Sequence, residues 1–257
     1  DSDGFGLTGD DTQWNNNGTL YTSFNWLGAA ANASNTEGNL TSVVRANTDA
    51  GQSVCTYTGD GVVGSTFGHG LSAAPEFIHV KNLTYNGGDP QNWLEWGKPI
   101  GTSGGEENYL ILNVTNAAGY SNGGFYAAPN ATVVTMGNWE NINHSGSDFV
   151  AYCFHSVEGY SKVGSYRGNS SADGTFVYCG FRPAHVFVRG YNVVTNWNLS
   201  NNKSVAYNVI DLYLAPNATS SESEEAYIDF VSNGFKCRNL TTSLNNAYNY
   251  LFYAVAE

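Results

Sequence analysis

The sequence predicts an all-β protein: two tandem antiparallel β-sandwiches of jelly-roll type, preceded by an orphan β-hairpin. Three features predict this fold, namely a long internal repeat, period-two alternation in short apolar runs, and frequent turn signals between those runs. The runs Gly164-Ser165-Tyr166-Arg167-Gly168-Asn169, Gly180-Phe181-Arg182-Pro183 and His185-Val186-Phe187-Val188-Arg189 echo three earlier ones. These are Thr56-Tyr57-Thr58-Gly59-Asp60, Gly70-Leu71 with Pro75, and Phe77-Ile78-His79-Val80-Lys81. Tyr57 to Tyr166 and Lys81 to Arg189 have nearly the same separation, so the repeat is about a hundred residues long, the size of a domain.

A second echo marks the end of each unit. Asn233-Gly234-Phe235-Lys236 followed by Asn245-Asn246-Ala247-Tyr248-Asn249-Tyr250 resembles Asp3-Gly4-Phe5-Gly6-Leu7 followed by Asn16-Asn17-Gly18-Thr19-Leu20-Tyr21. A looser copy runs from Val133 to Phe154. The chain therefore reads as residues 1–50, a closing hairpin and connector belonging to a preceding repeat, then sandwiches over 51–156 and 157–257.

From Asp3 to Trp26 the pattern is two strands about a polar turn, with Tyr21, Ser23 and Asn25 alternating against Thr22, Phe24 and Trp26. Residues 28–50 lose periodicity and read as an exposed connector, with Val43-Val44 a short strand at most. In the first full unit Ile78 and Val80 oppose Phe77, His79 and Lys81, and in the second Val186 and Val188 oppose His185, Phe187 and Arg189. Tyr109 to Leu112 and Ile210 to Leu214 read as matching central strands. Asn86-Gly87-Gly88, Asn122-Gly123-Gly124, Asp173-Gly174 and Asn233-Gly234 punctuate the runs, as antiparallel sandwiches require. Ser220 to Ala226 reads either as a capped helical turn or as a solvated acidic loop.

Only 12% of the 257 residues are charged, and the net charge is −12. That charge repels a phosphate backbone, and no Lys/Arg cluster offsets it, so nucleic acid is not an expected partner. No apolar run reaches membrane-spanning length. The four cysteines fall two to a unit. They read either as Cys55–Cys153 and Cys179–Cys237 disulfides or as buried thiols in apolar strands. Acceptor sequences Asn-x-Ser/Thr begin at Asn17, Asn32, Asn39, Asn82, Asn113, Asn130, Asn143, Asn169, Asn198, Asn202, Asn217 and Asn239. Chance would supply roughly five, so N-glycosylation and secretion are expected, although a turn vocabulary rich in Asn, Ser and Thr generates such sequences too.

Catalytic patterns fail on context. Gly101-Thr102-Ser103-Gly104-Gly105 matches a nucleophile elbow, but Glu106-Glu107-Asn108 leads into a strand where a helix belongs. The five histidines lack metal-ligand spacing, with His79 and His185 expected at a surface or an interface. Asp1-Ser2-Asp3-Gly4-Phe5-Gly6 resembles the start of a calcium loop, but Phe5 and Thr12 stand where oxygen ligands belong. Neither a metal nor a cofactor is expected. Aromatics beside amides suit sugar stacking, which makes Trp139 and Trp197 candidate glycan contacts and sandwich anchors alike.

Together the Tyr-x-Gly runs ending at Gly59 and Gly168, Gly180 to Pro183, Asn143-His144-Ser145-Gly146, Val157 to Lys162 and Ser232 to Lys236 carry a resemblance. They look like a β-domain repeated in tail-fibre and other virion structural proteins of marine phages. The resemblance spans Gly51 to Glu257 and implies a β-sandwich, a place on a virion or appendage, and no enzymatic activity. The resulting expectation is a non-enzymatic structural subunit, extracellular or on a virion surface. It would assemble head to tail with copies of itself, the N-terminal hairpin adding strands to a neighbour through Phe5, Tyr21, Phe24 and Trp26. The other expectation is an adhesin that binds a cell-surface glycan.

Overall fold

The computed structural model describes residues 7, 15–18, 21, 23, 25–29, 31–84, 91–103, 106–205, 207–222, 224 and 228–257. The first sandwich holds β1 (Ala33–Asn35), β2 (Ser42–Asn47), β3 (Gln52–Thr58), β4 (Thr66–Gly68), β5 (Phe77–Asn82) and β6 (Leu94–Gly97). It continues through β7 (Thr102–Ser103), β8 (Glu106–Ile111), β9 (Gly119–Tyr120), β10 (Phe125–Ala127), β11 (Val133–Met136) and β12 (Asp148–Phe154). The second holds β13 (Ser161–Arg167), β14 (Phe176–Tyr178), β15 (Pro183–Gly190), β16 (Trp197–Asn201), β17 (Ile228–Val231), β18 (Gly234–Cys237) and β19 (Asn249–Ala256).

The two sandwiches repeat one topology. In the first, the large sheet runs β1-β2-β3-β12-β5-β6-β8-β7, with β9 on β8, and the small sheet runs β10-β11-β4. In the second the orders are β13-β19-β15-β16 and β17-β18-β14. The closing strand of each unit thus inserts between its opening strand and its third strand. Register makes the match residue by residue: Ala151 faces Cys55 and Val80, while Phe252 faces Gly164 and Val188. The echo heard in the sequence is therefore an echo of strand positions.

Strand alternation sorts the apolar residues into three cores. Ile78, Val80, Phe149 and Phe67 fill the first sandwich, and Val186, Val188, Phe252 and Phe235 fill the second. The alternate residues Phe77, Phe154, Phe187, Trp197 and Tyr253 form a third core, where the two large sheets pack back to back. The protein is a four-layer β-structure with an apolar, aromatic middle joint.

Each sandwich is closed by the same polar knot. Tyr57 donates its hydroxyl to the Ile142 carbonyl at 2.7 Å, and Tyr166 donates to Leu244 at 2.6 Å. The next residues, Asn143 and Asn245, are fully buried. The Asn143 amide donates to Asp60, Val62 and Gly137, and its oxygen accepts from the Asp60 N–H. The Asn245 amide donates to Asn169, Ser171 and Asn239. A buried amide with every polar atom engaged fixes a loop that could not otherwise desolvate its backbone.

Several expectations are corrected. Residues 28–50 are not only a connector, because β1 and β2 extend the large sheet alongside β3. Ile210 to Leu214 makes isolated bridges, Ile210 with Ile228 and Leu214 with Leu199 among them, and no strand. The described residues among 220–226 form no helix. Of the predicted hairpin, 7, 15–18, 21, 23 and 25–26 are described and carry no strand; the rest, Phe5 and Phe24 included, lies outside the described residues. All four cysteines are free, buried thiols. Cys55 and Cys153 are diagonal neighbours on one face of β3 and β12, with their thiols in contact. Cys179 and Cys237 lie at opposite ends of their strand pair, the first bonded to Asn233 and the second to Thr175. Four residues of strand separate them, about 13 Å, beyond disulfide reach.

Candidate functional site: a cleft where the sandwiches meet

The back face of the first large sheet is only partly covered by the second sandwich. The remainder forms a cleft of about 440 Å³, floored by Val54, His79, Trp93 and Tyr152 and edged by Trp26 and Arg45. A smaller cavity of about 170 Å³ continues it between the sandwiches, past Phe154 and His79 to His185, Phe187 and Tyr253. Alternation along β3, β5 and β12 puts these side chains on one face, since Tyr152 sits directly across from His79.

Trp26 sits over both cavities. Its ring lies 5.7 Å from that of Phe154, and its side chain hydrogen-bonds the Tyr253 hydroxyl. The segment behind it is tied down through backbone carbonyls: Leu27 accepts from Asn47 at 3.0 Å and Gln52 at 2.9 Å, and Ala29 accepts from Arg45 at 3.2 Å. Tyr21, another expected assembly residue, is exposed and accepts the Asn16 N–H.

At the cleft floor His79 Nδ1 touches the carboxylate of Glu95, directly across the β5–β6 pair. Glu95 is fully buried, and burial pushes its carboxyl above the usual range while His79 pulls it back. The Ser53 hydroxyl is no partner for this pair, because it points to the opposite face of the sheet, 3.6 Å from Cys55 Sγ. Ser103 ends β7 and pairs with Glu106 of β8, so a strand follows it where a nucleophile elbow has a helix. Among the described residues no group of three or more His, Cys, Asp or Glu could hold a metal ion, and no helix is long and apolar enough to cross a membrane.

Trp197 is not a glycan platform. It is 1% exposed, stacks on Phe187 at 4.5 Å, and lies under the Arg189 guanidinium at 5.5 Å. Its indole N–H donates across the joint to the Ile111 carbonyl at 3.3 Å. Trp139 is half-buried, set edge-on to Tyr109 at 5.0 Å against the first core. Gly123 permits this, because a Cβ there would come within 2.0 Å of the Trp139 indole nitrogen. Sequence alone did not mark Trp93 and Tyr152 as a joint surface; the repeat offset, applied to the buried Trp197 and Tyr253, would have found them.

The acceptor asparagines divide by burial. Asn17, Asn32, Asn39, Asn113, Asn130 and Asn169 are exposed, and Asn217 and Asn239 are half-buried. Asn82, Asn143, Asn198 and Asn202 are buried, and a glycan on any of these has no room in this packing. Asn113 and Asn217 do the same structural work. Asn113 Oδ1 accepts the Trp93 backbone N–H at 3.1 Å, and Asn217 Oδ1 accepts that of Trp197 at 2.9 Å.

Fold and cleft together define a tandem β-sandwich protein with a composite aromatic cleft at its middle joint. The chain belongs to the family described as "Domain of unknown function (DUF7483)", whose model matches residues 1–257. Comparison with curated proteins and with solved structures returned no match.

Proposed function

We propose that the protein is a non-enzymatic structural subunit of an extracellular or virion appendage, stacking head to tail with copies of itself. The observation that carries this reading is the third core. Two repeats of one sandwich are joined through an apolar face containing Phe77, Phe154, Phe187, Trp197 and Tyr253, and part of the equivalent face on the first repeat is open. A protein built by repeating one joint can extend by repeating it again between chains, and a heterologous contact of this kind does not close on itself. The aromatic, phage-like repeat and the low charge fit a static surface protein.

The N-terminal segment is the second means of assembly. Residues 25–29 are bonded to their own sandwich through Arg45, Asn47 and Gln52, and the segment before them would reach a neighbour by adding strands. Sedimentation of the full chain against a chain lacking residues 1–27 tests this. Loss of polymer in the shorter chain supports strand addition, and unchanged polymerisation removes it.

A second reading, a glycan-binding adhesin, draws on the cleft itself, where Trp26, Trp93 and Tyr152 lie beside Asn25 and Gln52. Retention of the chain on a glycan array, abolished by Trp93→Ala, would favour it over the structural reading.

A further inference from the structure

The two sandwiches are equivalent, but they meet through non-equivalent halves of their large-sheet back faces. The first contributes Phe77, Ile100, Leu110 and Phe154, and the second contributes Val163, Phe187, Trp197 and Tyr253. Shifting the second set by the strand register gives its counterparts on the first sandwich: Val54, His79, Trp93 and Tyr152. Those four line the open cleft. The face that the second sandwich uses to receive the first is thus present on the first, where His79 and Tyr152 reach the edge of the third core and the part around Trp93 and Val54 has no sandwich partner among the described residues.

The internal joint shows what such a face receives. The loop after β8 closes over it: Ile111 O accepts from the Trp197 indole at 3.3 Å, Asn116 O accepts from Arg189 at 2.6 Å, and Thr115 O accepts the Thr195 N–H at 3.0 Å. The counterpart cation over the open face is Lys81, 5.9 Å from the Trp93 ring. Among the described residues no hydrogen bond occupies the Trp93 indole N–H, whose equivalent in Trp197 is satisfied across the joint.

The counterpart of the closing loop can also be placed. Asn113 and Asn217 make matching bonds, Asn113 to Asn92 at 2.6 Å and Asn217 to Asn196 at 2.8 Å, besides capping Trp93 and Trp197. Residues 114–118 therefore correspond to Ala218-Thr219-Ser220-Ser221-Glu222, of which 218–221 are exposed. The sequence from Glu222 to Glu225 is acidic, Arg45 edges the open face, and Lys81 lies over its Trp93 ring. Charge and register agree on the pairing. Trp26 fits the same scheme, since the terminal echo that aligns Tyr21 with Tyr250 aligns Trp26 with Val255 and Phe154, the last outward residue of each closing strand.

We infer that the open face around Trp93 and Tyr152 receives the 218–222 loop of a second copy of this chain, repeating between chains the joint that each chain makes internally. This rests on the head-to-tail reading above and gives it an address. Successive sandwiches would alternate between two rows, each overlapping half of the two across from it, with no twofold axis at the contact.

The test uses the full chain with a compact, leucine-sized diazirine side chain placed at Thr219, an exposed position. Equal amounts of ¹⁵N-labelled and unlabelled protein are mixed, irradiated, digested and analysed by mass spectrometry, alongside sedimentation velocity over a hundredfold concentration range. Expected are mixed-isotope cross-links from position 219 to peptides containing Trp93 or Tyr152, and species larger than a dimer. Trp93→Glu and Thr219→Trp should each shift the sedimentation coefficient back to that of the monomer. The second variant lies on an exposed loop and keeps the test decisive if the first fails to fold. Assembly with cross-links elsewhere, or assembly untouched by Thr219→Trp, overturns the inference and leaves the head-to-tail reading standing. A monomer at every concentration overturns both.

Discussion

Replacing Trp197 with alanine should be among the most damaging single changes in the chain, and replacing its twin Trp93 should not. Trp197 is 1% exposed, stacked on Phe187, and holds the buried Arg189 guanidinium over its face. An aromatic side chain of this kind removes about 200 Å² from water, worth about 5 kcal/mol at about 25 cal/mol per Å². That is an upper figure, since the unfolded chain already hides part of the ring, and measured large-to-small changes of this type cost about 3–5 kcal/mol. Arg189 would keep its carbonyl partners and lose the ring beneath it, so the upper half of the range is expected. Trp93 is half-buried at the open cleft, and the same arithmetic gives about 2 kcal/mol or less. Urea unfolding followed by far-ultraviolet circular dichroism measures both. With a slope of about 2–3 kcal/mol per molar urea, Trp197→Ala should lower the midpoint by more than about 1 M. A loss below about 1.5 kcal/mol, or one no larger than that of Trp93→Ala, would refute the claim that the middle joint is a true core.

Further outcomes follow from other sites. Asn143→Ala and Asn245→Ala should each cost about 3 kcal/mol or more in urea unfolding, because each strips partners from several buried backbone groups, and glutamine should not restore stability. Burial draws His185 from 6.5 to about 4, and it lowers His69 as well. The unfolded chain then binds more protons than the folded one across that window, so the stability supplied by the neutral rings is present above pH 6.5 and lost as pH falls toward 4. For His185 the loss is up to about 3 kcal/mol, and His185→Gln should flatten the pH–stability curve between those limits. A thiol reagent should find none of the four cysteines in the folded protein and all four in denaturant, with burial pushing Cys179 and Cys237 up to about 12. In protein from a glycosylating host, peptide mapping should find Asn82, Asn143, Asn198 and Asn202 bare; a glycan at Asn143 in folded protein would contradict the buried knot.

The legible part of the fold was the part written as alternation and repetition. Ile78 and Val80 against Phe77 and His79 gave both faces of β5, and the echo of Tyr57 in Tyr166 gave the pair of sandwiches. The illegible part depended on which faces meet. Alternation shows that Phe187 and Trp197 share a face with His185, but not that another sandwich covers it, so Trp197 looked as suited to a sugar as to a core. Four of the acceptor asparagines are buried for a similar reason. Asn143 has the sequence of a glycosylation site, yet its environment is set by Asp60, Val62 and Gly137, more than 70 residues away in the case of the first two. Residues 28–50 lacked an apolar period because β1 and β2 lie at a sheet edge, where the outward Val43 and Arg45 alternate with buried Ser42 and Val44, and Ser42 gives no apolar signal. The Cys179–Cys237 pairing is out of register: an offset of four residues along β14 and β18 is invisible in spacing.

The central claim is that the joint between the sandwiches is the unit of assembly, and cryo-electron microscopy of the protein from its native source tests it most directly. The account predicts a polymer in which the contact between chains superposes on the joint within a chain, with Trp93 in the place of Trp197 and residues 218–222 in the place of 114–118. Discrete particles, or a polymer whose chains meet through the small sheets and leave the Trp93 face open to solvent, would contradict it.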